Sequence, residues 1–171
     1  MVRTSLMRLT DIVAVLLVLL LTACASSPNF STEGVNETAT PRQAVAEIES
    51  LRNDAVLWGG MIVNSTNLKH STRLEVLGYP LDNAQRPDTS AQPTGRFLAI
   101  EQGYLETADY RQGRLVTVEG TLTEARKGTI GEAGYTYPTL KSDRLYLWPE
   151  EEQAVDRTPA VNFGFGIGIG F

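Results

Sequence analysis

Hydrophobic and polar positions change rhythm several times along this 171-residue chain, and each change predicts an element. Residues 12–21 form an unbroken apolar run behind Arg3 and Arg8. Such a run has the length of a signal-peptide apolar region and is too short to span a bilayer as a helix. Residues 25–39 are rich in Ser, Thr, Asn and small side chains without periodicity, which predicts a flexible tether. Thr40-Pro41-Arg42-Gln43 is a helix start, with Thr40 as cap, Pro41 in the first turn and Gln43 completing a capping box. Ala44, Val45, Ile48 and Leu51 then share one face, and Asn53-Asp54 ends a single short amphipathic helix.

From Ala55 the period shortens. Residues 55–63 are a buried strand whose Gly59-Gly60 pair predicts a bulge or sharp bend. Residues 73–79 and 96–101 follow as strands, separated by a loop over 81–94 that is rich in Pro, Asp, Asn and Gln. In residues 114–123, Val116, Val118, Gly120 and Leu122 alternate with Thr117, Glu119, Thr121 and Thr123, which is the clearest half-buried strand. Residues 135–140 and 144–148 read as two more strands around a polar turn at Lys141-Ser142-Asp143. One helix and about six short strands predict an all-β fold, a small OB-like barrel, with Gly120 allowing the wall to curl.

The apolar run closes on Leu21-Thr22-Ala23-Cys24, which resembles the lipobox of a bacterial lipoprotein precursor. The resemblance implies cleavage between Ala23 and Cys24 and lipid on Cys24. The chain then divides into a signal peptide (1–23), a lipidated tether (24–39), a helix-plus-barrel domain (40–149), and an acidic linker with a C-terminal tail (150–171). Ala25 and Ser26, not Asp, follow Cys24. In enteric-type lipoproteins this implies export to the outer membrane.

Losing residues 1–23 removes Arg3, Arg8 and Asp11, so the mature chain carries 13 basic and 19 acidic side chains, a net charge of −6. That balance argues against nucleic acid as a partner and against docking on anionic lipid by charge alone. Cys24 is the only thiol, so no intrachain disulfide forms and the apolar core must carry the fold. No cofactor is expected, and the single histidine, His70, excludes a His-rich metal site and reads as a solvated turn residue.

An ordered set of short motifs carries a family likeness: Trp58-Gly59-Gly60, Leu74-Glu75-Val76-Leu77, Tyr79-Pro80-Leu81, Gly95-Arg96-Phe97-Leu98, Gly113 to Gly120, Tyr135-Thr136-Tyr137-Pro138 and Leu147-Trp148. The set resembles the Slp (starvation lipoprotein) family of outer-membrane lipoproteins, from the lipobox to Trp148. The resemblance implies a lipid-anchored protein on the periplasmic face of the outer membrane, linked to stationary-phase or stress physiology. It implies no enzyme and supplies no catalytic residues.

Two stretches are candidate interaction surfaces. Trp58, Tyr146 and Trp148 are candidates for an aromatic face holding a small ligand, glycan or peptide, against the plainer reading that they fill the core. Phe163, Phe165, Ile167, Ile169 and Phe171 alternate with glycines, a pattern for an edge strand, for insertion into the membrane interface, or for strand addition to an envelope protein or a second copy. Gly164, Gly166, Gly168 and Gly170 are not a phosphate loop, because no helix follows them.

Overall fold

The computed structural model describes residues 28–150. Within them the chain forms two short helices, α1 (Pro41–Ala46) and α2 (Ile48–Leu51), and five strands. The strands are β1 (Ala55–Asn67), β2 (Ser71–Tyr79), β3 (Gly95–Gln102), β4 (Leu115–Ile130) and β5 (Ala133–Leu147). They close into a ring in the order β1-β2-β3-β5-β4. Every pairing is antiparallel except β3 with β5.

Alternation sets the core. Val56, Trp58 and Ile62 of β1 point inward, as do Leu74 and Val76 of β2, Phe97 and Ala99 of β3, Val116, Val118 and Leu122 of β4, and Leu140 of β5. The inward row expected on β4 is therefore fully buried. Ala39 and Ala44 join the same cluster. α1 lies at one end of the ring, where the Arg42 amide donates to Thr94 O. Segment 103–114 covers the other end with Leu105 and Tyr110, and the Gly113 amide donates to Ile62 O.

The capping box forms as expected: the Gln43 amide donates to Thr40 Oγ1, and the Thr40 amide donates to Gln43 Oε1 at 3.1 Å. The single helix does not form. Glu47, at φ −119° and ψ 23°, breaks it into α1 and α2. The strand count also changes, from six to five. Lys141-Ser142-Asp143 is no turn but part of one continuous β5, in which Asp143 is an extra residue between the Glu119–Arg144 and Gly120–Ser142 pairs. In β1 the register slips at Val63, between Ile62 and Asn64, and not at Gly59-Gly60, whose pairing with Tyr79 and Gly78 is regular.

Part of the predicted tether is structure. Residues 28–39 run along the outside of the ring as a strap: Phe30 is buried, Val35 bridges to Ala55, and the Asn36 amide donates to Ala55 O. A composition of small polar residues reads as coil, but one aromatic and a few backbone partners suffice to dock it. Ala23, Cys24 and the tail residues Phe163, Phe165 and Phe171 lie outside the described residues.

Candidate functional site

The three aromatics predicted to share a face are divided by the wall of the ring. Trp58 points inward and is 5% exposed. Its indole N–H donates to Ala39 O at 2.6 Å, and its ring meets Phe97 edge-on at 5.2 Å. Trp148 is equally buried but lies outside the wall, donating to Thr117 Oγ1 at 2.9 Å. Tyr146 packs edge-on against it at 4.9 Å, half-buried. An exposed concave surface of all three is not formed. Indoles buried to this degree with satisfied N–H groups act mainly as packing elements.

The outer surface around Trp148 is instead where distant parts of the chain converge. Loop 80–94 folds over it, pinned internally by Asp82, whose Oδ1 accepts from the amides of Ala84 and Arg86. In the same loop the Ser90 hydroxyl and amide hold the Asp88 carboxyl below its ordinary value. Gln85 is the hinge of this cover. Its φ is +62°, a left-handed conformation that a glutamine adopts only when its surroundings compel it. Its backbone carbonyl accepts from Thr117 Oγ1 at 2.7 Å. Its side-chain amide forms a two-bond pair with the strap: the Phe30 amide donates to Oε1 at 2.8 Å, and Nε2 donates to Phe30 O at 3.0 Å. Arg144 of β5 closes the other side, with its guanidinium 4.5 Å from the centre of the Phe30 ring and donating to Asn29 O. Arg86 sits 5.4 Å from the Trp148 ring centre.

Strap, α1 and loop 80–94 enclose a cleft of about 500 Å³ with Thr32, Glu37, Leu57, Trp58, Leu81 and Asp82 among its walls. That volume falls in the range of small-molecule sites. A smaller groove of about 170 Å³ lies between β1, β2 and the β4–β5 hairpin, lined by Arg73, Glu75, Arg126 and Lys127 among others. At its base Arg96 pairs with Glu75 at 2.6 Å, and the Tyr137 hydroxyl lies 3.2 Å from the same carboxylate oxygen. Burial, and then the Glu75 charge, push the Tyr137 hydroxyl above the ordinary tyrosine pKa. At the far end of the ring burial does the same to Tyr110, helped by Glu101.

His70 is exposed in the β1–β2 turn and lines neither cleft. Among the described residues no three His, Cys, Asp or Glu side chains group to hold a metal. Sequence reasoning missed Phe30, Gln85 and Arg144. Only Phe30 gave a signal, as a lone aromatic in a polar run.

Residues 21–165 match a family model described as the outer membrane lipoprotein Slp family. An uncharacterized protein of Haemophilus influenzae is 32% identical over 135 residues, covering 75% of this chain and 70% of that protein. The outer membrane protein Slp of Escherichia coli K12 is 29% identical, covering 86% of this chain and 79% of that one. The uncharacterized lipoprotein YeaY of the same organism is 30% identical, with 90% and 79% covered. The family match takes in the first part of the alternating tail, beyond the Trp148 limit of the likeness seen in the motifs.

Proposed function

This chain belongs to the outer membrane lipoprotein Slp family and is a lipid-anchored protein of that membrane, and on this footing we propose that Cys24 carries the lipid and that the ring is an OB-like barrel serving as a non-catalytic accessory module of the envelope. The observation that carries the reading is where the family match opens: at Leu21, the first residue of the box that ends in the chain's one thiol. Strand order β1-β2-β3-β5-β4, with its single parallel pair, supports the OB-like assignment. An exposed His70 and a Glu75 already committed to Arg96 support a role without catalysis. The link to stationary-phase or stress physiology comes from the family resemblance.

A single acyl chain gives only marginal membrane binding, whereas two or more hold a protein stably. Cys24→Ala should therefore leave the domain folded and release it from the membrane fraction. Intact-mass measurement should find wild-type protein beginning at Cys24 with lipid attached. Recovery of the variant in the membrane pellet at wild-type yield would refute the anchor.

A second reading, an envelope module binding a small ligand, glycan or peptide, is favoured by the cleft of about 500 Å³. The burial of Trp58 and Trp148 moves it from an aromatic face to the space between strap and loop.

A further inference from the structure

Resting on the reading of Cys24 as the lipidated residue, we propose that the face of the ring bearing the strap lies against the headgroup layer of the bilayer, and that the β4–β5 hairpin tip points away from it. The argument is one of length. The chain is docked from residue 28 onward: Asn29 O accepts from Arg144, Phe30 is paired with Gln85, and Val35 bridges to Ala55. Only Ala25, Ser26 and Ser27 separate Cys24 from Pro28. Fully extended, that stretch reaches about 14 Å.

A domain of this size has a radius of gyration of about 14 Å and hence a body radius of about 18 Å. A leash shorter than the body's own radius prevents the domain from turning its far side to the membrane. A sixteen-residue tether would have reached about 55 Å, more than the body's diameter, and would have left the domain free to tumble. Docking of the strap thus turns an anchor into an orientation.

The side so placed carries the exposed Arg144, whose guanidinium stacks on the Phe30 ring and is within reach of a phosphate headgroup brought against this face. Glu33, Asp82 and Asp143 are exposed in the same region, so the leash and not net charge sets the orientation. The hairpin turn at Gly131-Glu132 lies up to about 45 Å along β4 from Thr117, the residue beneath Gln85.

The test uses the full-length lipidated protein in phosphatidylethanolamine–phosphatidylglycerol vesicles containing a headgroup-nitroxide lipid. With the Cys24 sulfur taken up by lipid, one added cysteine at exposed Ser31, Asn83 or Glu132 takes a fluorophore uniquely. Quenching at Ser31→Cys and Asn83→Cys should exceed that at Glu132→Cys at least twofold. A flexible insert of about twenty residues between Ser27 and Pro28, with a root-mean-square span of about 25 Å, should erase the difference. Equal quenching at all three sites, stronger quenching at Glu132→Cys, or a difference that survives the insert would overturn the proposal. Protein that does not float with vesicles, or that carries no lipid by mass, would defeat the Cys24 reading instead.

Discussion

Gly60 shows at the residue scale why a glycine pair can be read correctly as a constraint and wrongly as to kind. The pair Gly59-Gly60 suggested a bend, yet both residues sit in regular register. What they need is space. A Cβ built on Gly60 falls inside contact distance of Leu77 O and lies 2.7 Å from Leu77 C and Val76 Cγ1. One on Gly59 meets Leu81 Cδ2 at 2.6 Å and Pro87 Cγ at 2.9 Å. The sequence announces that Cβ is forbidden but not which neighbour forbids it, since Leu77 and Pro87 come from elsewhere in the chain. Backbone cannot move aside as a flexible side chain does, so Gly60→Ala should cost about 3 kcal/mol in urea unfolding. Gly134, exposed in β5 with open space around it, is the matched control. Gly134→Ala should be neutral or slightly stabilising by restricting the unfolded chain. Equal losses at both positions would show that the strand's general response to a glycine substitution, not close approach, governs these positions.

Elements were legible where alternation was clean and lost where polar residues continued a strand. The inward valines of β4 were plain from the sequence, but β4 runs on through Glu124-Ala125-Arg126-Lys127 to Ile130 and β5 begins at Ala133. The outer part of this hairpin leaves the ring and is mostly exposed apart from buried Tyr137 and Pro138, so no apolar period marks it. Its stability comes from Tyr135 and Tyr137, which pack edge-on at 4.7 Å, and from polar ties to β2 and β3. The Arg96 amide donates to the Tyr135 hydroxyl at 3.0 Å. The Tyr137 hydroxyl lies 2.9 Å from Thr129 O and 3.2 Å from Glu75 Oε1, so its one proton serves two acceptors. Tyr137→Phe should cost about 1 kcal/mol at neutral pH. The same bond dictates an alkaline signature. Burial and Glu75 raise the Tyr137 pKa in the folded state, so its contribution is complete below the unfolded tyrosine value of about 10 and is lost as pH climbs through the folded value. Wild type should therefore lose stability more steeply above about pH 10 than Tyr137→Phe does, with the Tyr110 share common to both. Parallel pH profiles for the two proteins would mean that the hydroxyl is not held as described.

For the whole molecule, the consequential misreading was the boundary of the folded body. Residues 24–39 looked like a tether because nothing in them repeats, and a docked strap needs no repeat. One buried ring, one amide pair to Gln85 and one bridge to Ala55 help hold residues 28–39 in place. The contacts are long-range, from Phe30 to Gln85 and from Asn29 to Arg144, so no local window could contain them. Their worth can be bounded. Full burial of a phenylalanine contributes about 1.5–3 kcal/mol, and each hydrogen bond about 1 kcal/mol net. Against a marginal stability of about 5–15 kcal/mol, loss of the strap is a large fraction of the total. A chain of residues 28–150 should unfold cooperatively in urea, and Phe30→Ala in it should lower stability by about 3 kcal/mol. A chain starting at Thr40, the boundary that composition alone suggests, should be weaker still, because it also frees Gln85 from the partner that holds it at φ +62°. If the chains starting at 28 and 40 unfold at the same urea concentration, the strap is a passenger and the short leash to the membrane is released with it. If the longer one is the more stable by the margin argued here, residues 28–39 belong to the fold, and an anchor at Cys24, as proposed, is joined to the ring by four residues and not sixteen.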